Sequence, residues 1–224
     1  MKFNKTLQIA REESFNIERP EISVKGITSD ITVVESQDGN CHIKIFVDSD
    51  KALELAQLVE IVEAGNRLIV NITKRGRKFW VLTDGGLHRL SIELSLPTTS
   101  NLSVKTVSSD VNVNHSLTNL DIASISGDVR ISQNPTENCT VKTISGNIAA
   151  HTFSACTYTL KSISGHIKVS VAPDLNIDVD GNSLSGDLRS EISLDSGENS
   201  LSTENKIVKI TASTISGNFK LARN

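Results

Sequence analysis

The chain has 224 residues and a formal net charge of −3, from 23 Lys and Arg against 26 Asp and Glu. This near-neutral balance, with one Trp and one Tyr for base stacking, argues against a dedicated nucleic-acid binder. No apolar run reaches the roughly 18 residues of a membrane-spanning helix, and the first residues, MKFNKTLQIAREESF, lack the apolar core of a signal peptide. We therefore expect a cytoplasmic protein, with association with the cell envelope as the alternative.

A repeated pattern begins at Ile22 and accounts for most of the chain. Each copy centres on an apolar residue, which we number zero. The seven central residues are Ile27, Val107, Ile125, Ile144, Ile163, Leu184 and Ile215. The steps between the four middle copies, from Val107 to Ile163, are 18, 19 and 19 residues. A fixed period of about 20 with β-favouring residues is typical of a solenoid in which each copy forms one coil. The sequence therefore predicts an all-β solenoid of about seven coils.

Within each copy the apolar residues alternate. They recur at positions −5, −3, 0, +4 and +6, as in Ile22, Val24, Ile27, Ile31 and Val33. Alternation on both sides of a short break predicts two strands with one shared inward face, joined by a turn. On this interpretation the central residue belongs to the core. Most breaks read Ser-Gly-Asp or Ser-Gly-Asn, and we expect glycine to supply a positive φ there, although two copies carry Ser instead.

The first and second copies are separated by a longer stretch, residues 35–95, which we interpret as an insertion between the first two coils. Its predicted elements are, in chain order, a hairpin at Asp38-Gly39-Asn40, a helix from about Ser49 to Leu58, and a second hairpin at Gly65-Asn66. Because the open ends of a solenoid need cover, we expect this hairpin-and-helix segment to act as a cap or side wall. No linker-like composition interrupts the chain, so residues 1–224 are expected to form one elongated domain.

Cysteine and histidine spacing gives no support for a metal site. Cys139 occupies an inward −5 position and is expected to be a small buried hydrophobe. Cys41 and Cys156 show no CxxC or Cys/His spacing, and the five histidines show no HxH or HExxH pattern. We therefore expect no metal, no cofactor and no disulfide framework.

Polar residues recur at the turn and suggest one alternative function. Position +3 carries, in sequence order, Asp30, Asp110, Asp128, Asn147, His166, Asp187 and Asn218. Neighbouring coils lie about 4.8 Å apart, which would let Asp110 and Asp128 act as an acid and base pair. The protein would then be a polysaccharide-acting β-helix enzyme using stacked turn carboxylates. We favour the other interpretation, in which Asp and Asn serve the turn itself, and expect no catalytic residues and no enzyme activity.

Hydroxyl residues form a second recurring series. Position −1 carries Thr106, Ser124, Thr143, Ser162, Ser183 and Thr214, and a serine follows at +1. None of these residues lies in the GxSxG context of a nucleophile. Hydrogen bonding along the stack is the expected role.

Positive charge collects at two outward positions. Lysines at −2 are Lys25, Lys105, Lys142 and Lys161, and cations at +5 are Arg130, Lys168, Arg189 and Lys220. Stacked coils would turn these into a basic stripe suited to an anionic surface polymer. The alternative, which we favour, is that lysine on exposed strands maintains solubility and prevents edge-to-edge association.

The candidate binding site is a short basic and aromatic segment inside the insertion. It consists of Lys74, Arg75, Arg77, Lys78, Phe79 and Trp80. Four cations beside the single Trp fit a membrane interface or an anionic ligand, because Trp and basic residues both favour the boundary between membrane and water. The alternative is that Phe79 and Trp80 fill the core.

The repeat also resembles a known family. The motif φ-x-[ST]-φ-S-G-[DN]-φ, with the preceding segment DKALELAQLVEIVEAGNRLIVNITK, is similar to the bacterial DUF4097 family, whose members are often labelled adhesins. The resemblance extends from about Ile22 to Leu221. It implies a right-handed β-helix-like domain, frequently attached to membrane proteins, and provides no catalytic residues.

Together these observations predict a non-enzymatic, adhesin-like binding or scaffold module. We expect it to act with a membrane or cell-envelope protein or an anionic surface polymer. Self-association is the further alternative, motivated by the C-terminal copy from Ile215 to Leu221, which would leave an uncapped end.

Overall fold

A computed structural model describes residues 7–72, 90–192 and 207–223. The first half contains β1 (Gln8–Phe15), β2 (Glu21–Lys25), β3 (Asp30–Glu35), β4 (Cys41–Val47), α1 (Asp50–Gln57), β5 (Glu60–Ala64), β6 (Arg67–Asn71), β7 (Leu90–Leu96), β8 (Asn101–Ser108) and β9 (Val111–Val113). The second half contains β10 (Asn119–Ser126), β11 (Val129–Ile131), β12 (Asn138–Thr143), β13 (Ile148–Thr152), β14 (Thr157–Ser162), β15 (Ile167–Val171), β16 (Asn176–Ser183), β17 (Leu188–Ser190), β18 (Ile207–Thr214) and β19 (Phe219–Arg223).

The strands form two long sheets, as the all-β prediction requires. The ten-stranded sheet has the order β1-β4-β7-β3-β9-β11-β13-β15-β19-β17. The nine-stranded sheet has the order β16-β18-β14-β12-β10-β8-β2-β6-β5. Each copy of the repeat supplies one strand to each sheet, and strands of successive copies are parallel, as in β8, β10, β12 and β14. The fold is therefore solenoid-like, with both sheets contributing side chains to a shared hydrophobic core.

The repeat period sets the strand register. In the nine-stranded sheet Leu102, Leu120, Cys139, Tyr158 and Ile210 are aligned partners in consecutive strands. Equivalent positions thus stack directly over one another. This alignment is why a single position of the repeat becomes a continuous row of side chains.

Four of the five predicted core positions are buried and the central one is not. In the third copy Leu120, Ile122, Val129 and Ile131 are at most 2 % exposed, whereas the central Ile125 is 47 % exposed. The other central residues behave alike, with exposures of 38 % for Val107, 45 % for Ile144, 45 % for Ile163, 49 % for Ile215 and 81 % for Leu184. The prediction that position zero belongs to the core is therefore wrong.

The reason is the two-residue period of a strand. From the second copy onward the first strand continues past position −2, so residues −5, −3 and −1 point inward and residues −2 and 0 point outward. The inward −1 residue is a hydroxyl, such as Thr143, which is 5 % exposed. Its Oγ1 donates to Gly146 O at 2.9 Å and lies 3.0 Å from Ser162 Oγ. The predicted hydrogen bonding along the stack is thus confirmed, and it satisfies buried hydroxyls.

The turn glycines are required by close packing of the backbones. A Cβ added at Gly146 would lie well under 3.0 Å from the carbonyl oxygen of Gly127, and one at Gly165 equally close to that of Gly146. Gly127 has φ +123°, but Gly146 and Gly165 do not have a positive φ. Left-handed geometry is therefore used at Gly127 but not at Gly146 or Gly165, which agrees with the presence of Ser at this position in two copies. Absence of a Cβ is what lets neighbouring turns approach.

The last two copies do not stack in sequence order. In both sheets the C-terminal pair, β18 and β19, lies between the fifth copy and the sixth, which is β16 and β17. In the part of the chain that the structure describes, β16 and β17 therefore end the two sheets. The expectation that the copy from Ile215 to Leu221 forms an uncapped end is wrong.

The strands of the predicted insertion lie beyond the first copy. β2 pairs directly with β8 and β3 with β9, so the first two copies are neighbours. β6 and β7 add to the other sides of β2 and β3. This location, at one end of both sheets, is the one expected of a cap.

Two of the three predicted local elements in this region are confirmed. Ser49 is the N-cap of α1 and accepts a hydrogen bond from Ala52 N at 3.3 Å. β5 and β6 form an antiparallel hairpin around Gly65, whose φ is +65°. The prediction of a hairpin at Asp38-Gly39-Asn40 is wrong. The flanking strands β3 and β4 do not pair with each other, because β7 lies between them and pairs with both. Among the described residues, no helix is long and apolar enough to span a bilayer.

The three cysteines are buried and free, as expected for Cys139. Burial raises the pKa of the Cys41 and Cys156 thiols to about 11, and it also raises that of Cys139. Few thiolates therefore exist at neutral pH, and the side chains are enclosed.

Glycine substitutions should separate the two reasons for glycine in this fold. Gly146→Ala should destabilise by roughly 1 to 3 kcal/mol, because the added methyl overlaps a neighbouring backbone. Gly65 has open space around it, so Gly65→Asn, which tolerates positive φ, should be nearly neutral. Chemical denaturation of both variants and of Gly146→Asn measures this. Equal stability of Gly146→Asn and wild type would contradict the packing argument.

Thiol labelling at neutral pH should distinguish the native from the unfolded chain. We expect negligible reaction of Cys41, Cys139 and Cys156 in the native protein, because burial both encloses them and disfavours the thiolate. In denaturant all three cysteines should react. Rapid native labelling of Cys139 would show that the core is not built as described.

Candidate functional site

The predicted binding segment lies outside the part of the chain that the structure describes. Its members are Lys74, Arg75, Arg77, Lys78, Phe79 and Trp80. Its near end is defined by Ile72, whose backbone N donates to Lys25 O at 2.7 Å beside the first copy. In the sequence the segment comes two residues after Ile72.

The turn residues at +3 form one continuous hydrogen-bonded ladder. Each side chain accepts from the backbone N–H of the equivalent residue in the next copy, as Asp110 Oδ1 does from Asp128 N at 2.8 Å. The series runs in spatial order through Asp30, Asp110, Asp128, Asn147, His166, Asn218 and Asp187. The members are those predicted, with the last two exchanged. Their regular use as acceptors is a structural role.

The two carboxylates suggested as an acid and base pair are also held by a cation. Arg130 lies 2.8 Å from Asp128 Oδ2 and 3.8 Å from Asp110 Oδ2. Asp128 Oδ1 additionally accepts from Asn147 N at 3.1 Å and from Asn147 Nδ2 at 3.2 Å. Ion pairing and ladder hydrogen bonds thus use both carboxylates in the turn.

The outer face of the nine-stranded sheet presents four parallel rows. From the start of the strands to the turn these are amides and charged groups at −6, Ser, Thr and Asp side chains at −4, lysines at −2 and apolar residues at 0. We call the third row the lysine row, with the members Lys25, Lys105, Lys142 and Lys161. We call the fourth row the isoleucine row, with the members, in spatial order, Ile27, Val107, Ile125, Ile144, Ile163, Ile215 and Leu184.

Backbone pairing holds the isoleucine row in line. Ser145 N donates to Ile125 O at 2.9 Å, and Ser164 N donates to Ile144 O at 2.8 Å. Equivalent bonds join the first copy to the second and the fifth to the C-terminal copy. Each apolar side chain therefore lies over the next at the strand spacing, about 4.8 Å.

The two predicted basic positions lie on different sheets. The +5 residues belong to the ten-stranded sheet, where Arg189 lies 2.9 Å from Asp187 and Lys220 pairs with Glu191. The lysine row belongs to the nine-stranded sheet, and its members form no ion pair with any described residue. The single basic stripe of the sequence prediction is therefore two rows. Among the described residues of the ten-stranded sheet Arg130, Arg189 and Lys220 are ion-paired and Lys168 is not, whereas no member of the lysine row is paired with a described residue.

A groove on the same outer face lies nearer the start of the strands. Its volume is about 570 Å³, and Ser103, Asp121 and Thr140 are among the residues that line it. Asparagines form a ladder along its side, with Asn119 Nδ2 donating to Asn101 Oδ1 and Asn138 Nδ2 to Asn119 Oδ1, both at 2.9 Å. The groove offers hydroxyl, amide and carboxylate groups to a polar ligand.

The described residues do not form a metal site. Over residues 7–72, 90–192 and 207–223, no three His, Cys, Asp or Glu side chains are grouped as metal ligands.

Sequence reasoning missed the isoleucine row, although the signal was present. Position zero lies three residues from −3, an odd number, so an uninterrupted strand must point the two side chains to opposite faces. The buried hydroxyl at −1 follows from the same parity. Assigning position zero to the shared inward face hid both.

Comparison with known proteins concerns the fold. A crystal structure of a candidate cell adhesion protein from Clostridium sporogenes has a TM-score of 0.52 and 10% identity, covering 96% of this chain and 99% of that one. A candidate adhesin from Bacteroides fragilis has a TM-score of 0.46 and 14% identity, covering 97% and 98%. No curated protein matches the sequence. The Toastrack DUF4097 family model matches residues 22–222, and the chain therefore belongs to the Toastrack DUF4097 family.

Proposed function

We propose that the protein is a non-enzymatic binding module that engages a membrane or cell-envelope partner through the outer face of the nine-stranded sheet. The observation that carries this proposal is the lysine row, four exposed cations without a charge partner among the described residues, aligned beside an exposed apolar row. Regular rows of one chemistry suit an extended partner better than a small substrate.

The turn contacts favour binding over catalysis. Asp110 and Asp128, the pair on which a polysaccharide-acting enzyme would rely, are occupied by ladder hydrogen bonds and by Arg130. In each carboxylate Oδ1 accepts from the turn backbone and Oδ2 lies beside Arg130, so both oxygens already have partners within the turn. The adhesion label of the Clostridium sporogenes protein agrees with this direction.

We further infer that residues 1–224 wind as one elongated right-handed solenoid of about seven coils. Parallel strands joined by crossovers are right-handed in about 98% of cases, which supports this handedness. The segment from Lys74 to Trp80 is proposed as an additional contact with the same partner, because in the sequence it follows β6, the strand that pairs with β2. A cytoplasmic location with envelope association stays a prediction, as does self-association.

Sedimentation with isolated bacterial envelopes tests the proposal. Lys105→Glu with Lys142→Glu should lower the bound fraction at least about ten-fold, because like charges then face the partner. The matched control is Lys168→Glu with Lys220→Glu, which makes the same charge change on the other sheet and should bind as wild type does. Equal loss in both variants, or in neither, would contradict the assignment of the face.

A variant of the basic segment belongs in the same experiment. Substitution of Lys74, Arg75, Arg77 and Lys78 by Gln and of Trp80 by Ser should weaken sedimentation while leaving the circular dichroism spectrum unchanged. Binding at the wild-type level would remove the segment from the proposed site and leave the sheet face to be judged by its own variants.

A further inference from the structure

We propose that the isoleucine row and the lysine row together form a docking face for the surface of an anionic lipid bilayer. This inference rests on the proposed function and names the partner of the same face. Apolar side chains would enter the boundary between headgroups and acyl chains, and lysines would meet the lipid phosphates.

The isoleucine row is an exposed apolar surface of unusual regularity. Six of its members are between 38 % and 81 % exposed, whereas single exposed apolar residues are the rule on soluble proteins. Seven stacked positions at the strand spacing span about 29 Å. A line of this length, fixed by backbone pairing, is a surface rather than a scatter of residues.

The lysine row lies parallel to the isoleucine row, close enough for both rows to contact one bilayer surface. Two residues along a strand separate the rows by about 7 Å. The alkyl part of a lysine can lie along apolar surface while its ammonium reaches outward, so Lys105 or Lys142 can reach phosphate while the neighbouring apolar side chain is inserted.

Charge along the two rows fits an anionic surface. From β16 to β2 no Asp or Glu occupies either row. The carboxylates nearest the isoleucine row are those of the turn, where Asp110 and Asp128 pair with Arg130, and Asp187 with Arg189. Repulsion from the turn is thereby largely offset. On the other side of the lysine row, Asp121 and Asp180 lie exposed at −4, two residues from the lysine position and four from the isoleucine row.

The apolar row decides between a bilayer and an anionic polymer. A polymer of phosphates or uronic acids would engage the lysines and leave Ile125, Ile144 and Ile163 in water. A bilayer accommodates both rows, because apolar contact and attraction to anionic lipid act together at its interface. The occupant that uses the whole face is the anionic bilayer.

Sedimentation with lipid vesicles tests directly whether the face binds an anionic bilayer. Wild-type protein should bind vesicles containing phosphatidylglycerol and not vesicles of phosphatidylcholine alone. Lys105→Gln with Lys142→Gln should weaken binding about 25-fold, at about five-fold for each lysine. Ile125→Thr with Ile144→Thr should also weaken it, since both side chains are about half exposed and their replacement leaves the fold intact. An unchanged midpoint of thermal unfolding confirms that the double isoleucine variant is folded.

The matched control and the opposing outcomes are specific. Lys168→Gln with Lys220→Gln changes the same charge on the ten-stranded sheet and should leave vesicle binding unchanged. Binding of a soluble polyphosphate, with vesicle binding insensitive to the isoleucine substitutions, would overturn the bilayer proposal in favour of a polymer. Sedimentation with envelopes but not with any vesicle would overturn this inference alone, whereas failure with both would also overturn the proposed function.

Discussion

Contact between stacked turn backbones is the constraint on which the structure depends. At Gly146, Gly165 and Gly217 the neighbouring turn approaches so closely that a Cβ has no room. This approach lets each side chain at +3 reach the N–H of the next copy, and it keeps Thr143 and Ser162 within hydrogen-bonding distance in the interior. Glycine, the polar ladder and the buried hydroxyls are therefore parts of one packing arrangement, which sets the alignment of every row outside it.

Function follows from that alignment. Because copies stack without a shift in register, the outward positions −2 and 0 become lines of lysine and of apolar side chains. Hydrogen bonds of the turn occupy the carboxylates that could have supported catalysis, while the lysine row carries charge that no described residue neutralises. The same repeat thus places hydrogen-bonding groups at the turn and, in the proposed function, binding groups on the sheet face.

The fold class was predictable because the period of 18 or 19 residues and the two-residue alternation are both visible in the sequence. The isoleucine row was not foreseen, since an apolar residue next to a turn is ordinarily assigned to the core, and Ile144 reverses that expectation. The exchange of the last two copies had no local signal in the sequence. The alternating side-chain pattern of β18 suits a place next to β14 as well as a place after β16, and in the structure β18 pairs with both strands. The segment from Lys74 to Trp80 stays a prediction.

Reactivity of two adjacent positions tests the central claim, that the stacked turn directs position zero outward and position −1 inward. A cysteine replacing Ile144 should react with a thiol reagent at neutral pH nearly as fast as a free thiol, because that side chain is 45 % exposed and the native cysteines are buried. A cysteine replacing Thr143 should be protected until the protein unfolds. Protection at position 144 with rapid reaction at position 143 would contradict the account.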